Sequence, residues 1–403
     1  MTITPPLGAA DDPLLAYRGR FPIVDRTNYL ISNSLGAVPH AVEESLHSYY
    51  ETWATRGVRA WEESWWGLVA ELGDLVAPLI GAGKGEVVFQ PNVTIAHAVL
   101  FSAFDFRDGR PKVVTDAMHF PSILYLLAEQ QSLGAEVVVV PTDDGITVDA
   151  GRLVDAIDET TAFVAVSHVL FKSSYVHDIA SIAEKARKVG AILIVDGYQA
   201  VGNLPVDVGA IGADVYIGGC LKWLCGGPGA AFLWVRPDLR TRFAPRLAGW
   251  MAHSNPFSFA TTLDRRPDAW RFLHGTPNIP AFYAARPGLE IIAEVGIDAI
   301  RAKSGRQTAR LLALADAFGF PCTTPRDPSR RGGTVAIDAP HGPEVSRALK
   351  SRDILCDYRP GAGIRLSPHL YNRDDELDAA VTAIAQTLES REWEAFGDAK
   401  VVS

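Results

Sequence analysis

Residues 191–235 read AILIVDGYQAVGNLPVDVGAIGADVYIGGCLKWLCGGPGAAFLWV. One apolar run closes on Asp196. A second, Val215 to Ile217, leads to Lys222, and a Gly-Gly-Pro-Gly loop then precedes a third apolar run. The lysine sits between Cys220-Leu221 and Trp223-Leu224, which is not a surface setting. This layout suits pyridoxal phosphate: a lysine amine forms a Schiff base with the cofactor aldehyde, and an acid on a strand end pairs with the pyridinium nitrogen. The glycines after the lysine let backbone approach closely. Taken singly, each residue has a plainer reading, since an Asp at a strand end is usually structural and a Lys is usually a solvated charge. The apolar neighbours, the glycine loop and the placement on successive strands favour the cofactor, with Lys222 as the catalytic residue.

The surrounding chain sets the frame. It has 403 residues, 48% of them hydrophobic and 21% charged, which is long enough for two domains with ample cores. The net charge of −9 and the lack of a basic stripe argue against nucleic acid as a partner. Four cysteines (Cys220, Cys225, Cys322, Cys356) have neither metal-ligand spacing nor the density of a disulfide framework, so no metal is expected. The opening MTITPPLGAADDPLL has no basic or apolar signal region, and no apolar stretch reaches membrane-spanning length. A cytoplasmic protein without membrane contact is the expectation.

Runs rich in Val, Ile and Leu recur along the chain: EVVFQ, KVVTD, AEVVVVP, AFVAVSHV, AILIVDG, ADVYIGG and AAFLWVRP. Continuous rather than alternating apolar runs predict strands buried on both faces of a mainly parallel sheet. Helical patterns lie between most of them, and two precede them, AVEESLHSYYETWATRG and SWWGLVAELGDLVAPLIGA. The fold class is therefore α/β, a doubly wound sheet of seven strands. After Pro280 the pattern changes to long helices, short strands and a last helix, DDELDAAVTAIAQTLES, which predicts a smaller α+β domain. The expected division is an N-terminal arm and part of the small domain (1–45), a large cofactor-binding domain (46–255), a linker and inter-subunit segment (256–285) and a small C-terminal domain (286–403). The first dozen residues, with Pro5, Pro6 and Pro13, are expected to be extended. Ligands in such sheets sit at the carboxyl ends of the strands, where Asp196 lies and which Lys222 follows.

Segments along nearly the whole chain resemble kynureninase, within the class V aminotransferase group of fold-type-I pyridoxal phosphate enzymes. They are NYLISNSLGAVP, GVRAWEESWWGLVAELGDLVAPLIGA, FQPNVTIAH, MHFPSILY, SHVLFKSSYVHDI, the Asp196–Lys222 segment, AGWMAHSNPF, HGTPNIPA and CDYRPGAGIRLSPHLYN. The resemblance implies a homodimer with its active site at the subunit interface.

It also implies roles. Val93 and Thr94 open a helix after a strand, where amides and a hydroxyl can hold the cofactor phosphate. The plainer reading is an ordinary helix cap at Asn92 or Thr94. Phe120 would stack on the pyridine ring, with the neighbouring His119 as the competing residue. Trp250 and Thr276 match positions that reach the phosphate from the neighbouring subunit, although packing alone also suits Trp250. Gln199 would contact the cofactor. Arg365 would grip the substrate α-carboxylate with its guanidinium fork, with Arg359 a second candidate. Asn33, Ser34 and His253 complete the implied substrate side. Of the remaining histidines, His97, His168 and His369 read as structural. Trp53, Trp61, Trp65 and Trp66 have helical spacing that predicts core packing.

Three positions depart from the kynureninase pattern. Leu221 stands where that family typically carries Tyr, Gln199 where it has His, and Ile123 where an FPSD-like segment has its acid. Leu donates neither a hydrogen bond nor a proton, and Gln does not titrate near neutral pH. The expected activity is cleavage of a bond at the β-carbon of an α-amino acid, either Cβ–Cγ hydrolysis or Cβ–S elimination. The alternative is a class V aminotransferase or a decarboxylating or oxidative deaminase in a biosynthetic pathway.

Overall fold

The seven apolar runs become one sheet, and six of them bury hydrocarbon on both faces, whereas the AEVVVVP run ends up at the sheet edge with Val139 46% exposed. In the computed structural model, which describes residues 12–107 and 109–397, the first strand is β1 (Asn28–Tyr29), followed by helices α1 (Ala41–Arg56) and α2 (Trp66–Val76). The alternating region follows: β2 (Val87–Gln90), α3 (Val93–Phe101), β3 (Lys112–Asp116), α4 (Pro121–Gln130), β4 (Glu136–Val140), α5 (Ala150–Ala156), β5 (Thr161–Ser167), α6 (Ile179–Val189), β6 (Ile192–Asp196), β7 (Val215–Gly219) and β8 (Ala231–Val235). Their order across the sheet is β2-β8-β7-β6-β5-β3-β4. Within this sheet only the pairings of β8 are antiparallel, so the sheet is mainly parallel.

Successive residues of each strand serve opposite layers. Val113, Phe163, Ile194 and Ile217 pack with Leu100 of α3 and with Ile123 and Leu127 of α4. Their chain neighbours Val114, Val164, Val195 and Tyr216 pack with Leu72 of α2 and Ile182 of α6. This is the doubly wound arrangement, with a core on each side of the sheet. The carboxyl ends of the parallel strands come into line, with Ser167 paired to Asp196 and Asp196 to Ile217.

The rest of the chain supplies α7 (Ile279–Val295), α8 (Ile297–Ala317), β9 (Val335–Ile337), α9 (Gly342–Ser351), β10 (Ile354–Leu355), β11 (Asp357–Arg359), β12 (Gly363–Leu366) and α10 (Asp374–Glu389). Strands β11-β12-β9 form an antiparallel sheet, and β1 pairs in parallel with β10. A third core joins Leu30 to Leu311 of α8, Leu349 of α9, Ile364 of β12 and Val381 of α10.

Two local expectations change. Residues 1–11, with Pro5 and Pro6, lie outside the described residues, while Pro13 opens a short 3-10 helix, Pro13–Arg20, instead of an extended arm. Asp12 caps that helix by accepting the Leu14 N–H at 3.1 Å. Among the tryptophans, Trp65 is buried and Trp61 and Trp66 are half-buried beside it, but Trp53 is 59% exposed. Trp53 lies on α1 and the other three on the turns that open α2, so one helical spacing does not place all four on one face. No helix among the described residues is long and apolar enough to cross a membrane.

Candidate active site

A cavity of about 330 Å³ opens at the carboxyl edge of the parallel strands. Its lower wall is the turn into α3. Asn92 is extended and accepts the Ile95 N–H at 2.9 Å, so the capping reading of this segment is correct for Asn92. Capping Ile95 does not use the first-turn amides of Val93 and Thr94, which have no acceptor within the helix. Both residues line the cavity.

Asp196 ends β6 and is nearly buried. One of its oxygens, Oδ1, accepts the Tyr198 N–H at 2.9 Å. Lys222 follows β7 on a loop that only glycine neighbours permit. A Cβ on Gly36 would fall 2.1 Å from the Lys222 carbonyl, and one on Gly202, whose φ is +93°, 2.8 Å from Trp223 backbone. The Lys222 amine lies 4.5 Å from the centre of the Tyr198 ring and 5.7 Å from that of Phe120. It makes no hydrogen bond or ion pair among the described residues. Burial and the nearby Arg365 pull its pKa down to about 7, against the opposing pull of Asp196 and Asp357.

Gln199 is half strut and half lining. Its Nε2 donates to the Asn33 carbonyl at 3.0 Å and its Oε1 accepts the Trp223 indole N–H at 2.9 Å, leaving one amide hydrogen uncommitted. Asn33 and Ser34 line the cavity from the N-terminal segment, and the side-chain amide of Asn33 has neither atom satisfied among the described residues. Phe120 is partly exposed at the cavity and meets Phe171 edge to face. His119 lies below, fully buried, and does not line the cavity, so of the two Phe120 is the one that can face a ring there.

Arg365 reaches the opposite wall from β12. It donates through Nε and Nη2 to Asp357 and through Nη1 to the Phe171 carbonyl at 2.6 Å. One N–H on each of Nη1 and Nη2 remains for a ligand. Arg359 stands beside it, 3.2 Å from the same carboxylate.

Trp250, His253 and Thr276 are not brought to this cavity within one chain. Trp250 and His253 line a second cavity with Phe259, and Thr276 is exposed. His253 Nδ1 accepts the Asn255 N–H at 2.9 Å. Sequence reasoning missed Tyr198, Phe171 and Asp357. Asp357 carried a signal, since it lies two positions from Arg359 in a strand and so shares its face.

These groups fit pyridoxal phosphate: an uncommitted half-buried amine, a carboxylate with one oxygen already oriented, a helix N-terminus and an aromatic ring converge on one cavity. The aminotransferase class V family model matches residues 28–379. The chain belongs to the class V aminotransferase family. Among its relatives, kynureninase from Burkholderia pseudomallei (strain 1106a) is 33% identical over 401 residues, covering 96% of this chain and 95% of that protein. Kynureninase from Pseudomonas fluorescens is 32% identical over 400 residues, covering 95% and 94%. The class V fold is equally plain in the apo cysteine desulfurase of Thermococcus onnurineus NA1, with a TM-score of 0.84 at 23% identity over 95% of this chain and all of that one. The cystine C–S lyase C-DES in complex with cysteine persulfide has a TM-score of 0.81 at 19% identity, covering 91% of this chain and 99% of that one. The protein is a kynureninase-like class V enzyme that depends on pyridoxal phosphate.

Proposed function

We propose that this class V enzyme cleaves a bond at the β-carbon of an α-amino acid in the manner of kynureninase. One observation carries the reading. In a chain similar to kynureninase along its whole length, Lys222 and the uncommitted N–H groups of Arg365 open onto one cavity. Bound pyridoxal phosphate supplies an electron sink for negative charge developing at the substrate Cα. Asp196 holds the pyridine nitrogen protonated. Val93 and Thr94 hold the phosphate, Phe120 covers the ring, and Gln199 turns its spare amide hydrogen toward the cofactor. Arg365, with Arg359 and the Asn33–Ser34 segment, orients the substrate carboxylate. Lys222, uncharged through much of its population near neutral pH, takes the Cα proton as general base. In the kynurenine case, water adds at the γ-carbonyl and the Cβ–Cγ bond breaks, giving alanine and an aryl acid.

Leu221 favours a second reading. A hydrocarbon at this cavity-lining position offers no proton to a side-chain carbonyl. Elimination of a sulfur leaving group from Cβ needs less proton relay there, and hydrolysis of the remaining three-carbon unit gives pyruvate and ammonia. Transamination and decarboxylating or oxidative deamination use the same lysine, acid and phosphate cup, and remain the alternative class.

The working assembly in this reading is a cytoplasmic homodimer in which Trp250, Thr276 and His253 serve the neighbouring subunit. An exposed aromatic surface supports it, with Phe257 58% and Phe259 77% exposed beside Trp250. The reading also keeps the division into arm (1–45), cofactor domain (46–255), linker (256–285) and small domain (286–403).

Titrating the holoenzyme with L-kynurenine, 3-hydroxykynurenine and cysteine conjugates tests the proposal. Alanine with anthranilate supports carbon–carbon cleavage, and pyruvate with ammonia supports elimination. Loss of the cofactor band to the pyridoxamine form on adding an amino donor, with neither product set, would replace both by transamination.

A further inference from the structure

The interior beneath the cavity is more polar than a doubly wound core requires. Strand β3 ends at Asp116, whose Oδ1 accepts the Met118 N–H at 2.8 Å and whose carbonyl accepts the His119 N–H at 3.3 Å. This tight turn carries the His119 ring under the cavity floor, 1% exposed. The Phe120 N–H then donates to His119 Nδ1 at 2.8 Å. A ring nitrogen that accepts carries no proton, so the neutral His119 imidazole carries its proton on Nε2. His97 on α3 is set the other way. Its Nδ1 faces the Val93 carbonyl at 2.8 Å, which can only accept, so His97 keeps its lone pair on Nε2.

The two Nε2 atoms make no hydrogen bond among the described residues, and neither does Asp116 Oδ2. One ring nitrogen of each histidine and a carboxylate oxygen of Asp196 lie within 4.8 Å of one another. Such a trio suggests cation ligands, but a protonated Nε2 on His119 has no lone pair to offer a metal. It has a hydrogen to give, and the charged carboxylate is the stronger acceptor nearby. Burial holds His119 below the ordinary imidazole pKa, with Asp196 and Asp116 pulling the other way, which keeps the ring neutral near pH 7. Other groups face this layer too. His177 lies 3.6 Å from Asp116, Ser167 Oγ lies 3.4 Å from His119 Nδ1, and His168 is bonded to Tyr216. On the cavity side stand Lys222 and Arg365. Ile123, where the kynureninase pattern has an acid, is fully buried in hydrocarbon. With that acid absent, Asp196 is the one carboxylate lining the cavity among the described residues.

We propose that His119 is a positioning residue for Asp196, its unpartnered Nε2–H donating, once the cofactor is bound, to the carboxylate that faces the cofactor ring. The inference rests on the reading of Asp196 as partner of the pyridine nitrogen. His119 and the Tyr198 amide together hold the carboxylate in place. His97, presenting only a lone pair, cannot take over as donor while neutral.

Two measurements test this. In the apo protein, nitrogen-15 NMR of labelled histidine is expected to show His119 as the Nε2–H tautomer and His97 as the Nδ1–H tautomer. In the reconstituted protein, pyridoxal phosphate affinity and the visible band are followed from about pH 6 to 9. His119→Met is expected to bind the cofactor about tenfold or more weakly, the worth of a hydrogen bond to a charged group, with a band that now shifts with pH. His119→Gln, which keeps a donor near the same place, is expected to restore both. An Nδ1–H tautomer at His119 would overturn the proposal. So would His119→Met with wild-type affinity and an unchanged pH profile, while Asp196→Asn loses the cofactor. If Asp196→Asn also leaves binding and band unchanged, the reading of Asp196 itself falls and takes the proposal with it. Should His119→Met fail to fold, the tautomer of the wild-type protein and the His119→Gln profile decide.

Discussion

Arg365 and Asp357 face each other across the β11–β12 pair and form a two-point ion pair, Nε to Oδ1 at 2.8 Å and Nη2 to Oδ2 at 2.5 Å, with both side chains almost wholly buried. The arginine assigned to the substrate carboxylate therefore arrives with a carboxylate of its own. The two carboxylates do not compete for the same hydrogens. Asp357 takes the Nε hydrogen and one on Nη2, and the Phe171 carbonyl takes one on Nη1, so the second hydrogen of each terminal nitrogen stays available.

Breaking that pair is expected to show in both stability and KM. Asp357→Asn leaves a buried guanidinium short of its counter-charge and is expected to cost about 3–5 kcal/mol of folding stability. Arg365→Lys removes the fork and is expected to lower kcat/KM by about 10–100-fold, mainly through KM, since a charge-assisted bond is worth about 1.5–3 kcal/mol. Urea unfolding and steady-state kinetics check these. Cofactor affinity is expected to stay near wild type in Arg365→Lys.

Lys222 gives the apo protein a distinctive pH dependence. Its folded pKa of about 7 lies below the ordinary lysine value of 10.5. Between those values the unfolded chain binds the extra proton, so this group makes stability rise with pH across that window. Lys222→Met is accordingly expected to stabilise the apo protein most at and below pH 7, with the gain fading toward pH 10.5. The same variant abolishes the visible cofactor band. Urea midpoints of the two apo proteins at about pH 6.5 and 9.5 measure the difference, and equal gains at both would refute it.

Acid is expected to act through three buried histidines. His97, His168 and His369 are each held neutral by burial, with pKa values of about 4 against the ordinary 6.5. Their contribution is complete above pH 6.5 and is lost as pH falls toward 4, because the unfolded chain takes up protons first. His369 holds the Trp223 carbonyl at 2.8 Å, beside Lys222. His369→Gln is expected to keep that bond and flatten the acid side of the stability profile, whereas His369→Ala costs about 1–3 kcal/mol at neutral pH as well.

Gly36 is expected to be intolerant of a methyl group. A Cβ there meets the Lys222 carbonyl at 2.1 Å and the Cys225 Cα at 2.9 Å, both backbone and unable to yield cheaply. Gly36→Ala is expected to cost about 1–3 kcal/mol and to weaken pyridoxal phosphate binding by displacing the lysine loop. Thermal melts and cofactor titration check this, and wild-type values in both would show that the loop moves freely.

The sequence by itself determined the sheet, because continuous Val, Ile and Leu runs are best buried between two helical layers, and only at the edge strand β4 is such a run left partly exposed. All seven runs became strands β2 to β8. It also determined the lysine and the acid, whose apolar or strand-end settings are local features of the chain. Tertiary structure alone decided what those residues touch. Asp357 meets Arg365 through a strand register, and Gln199 meets Asn33 across 166 positions. His119 and His97 each bring a ring nitrogen within 4.8 Å of an Asp196 oxygen from two different segments, and their proton positions follow from bonds to backbone groups. Trp53, Trp65 and Trp66 differ in burial because Trp53 lies on α1 and the other two on the turns that open α2, and the elements packed around each decide how far it is covered.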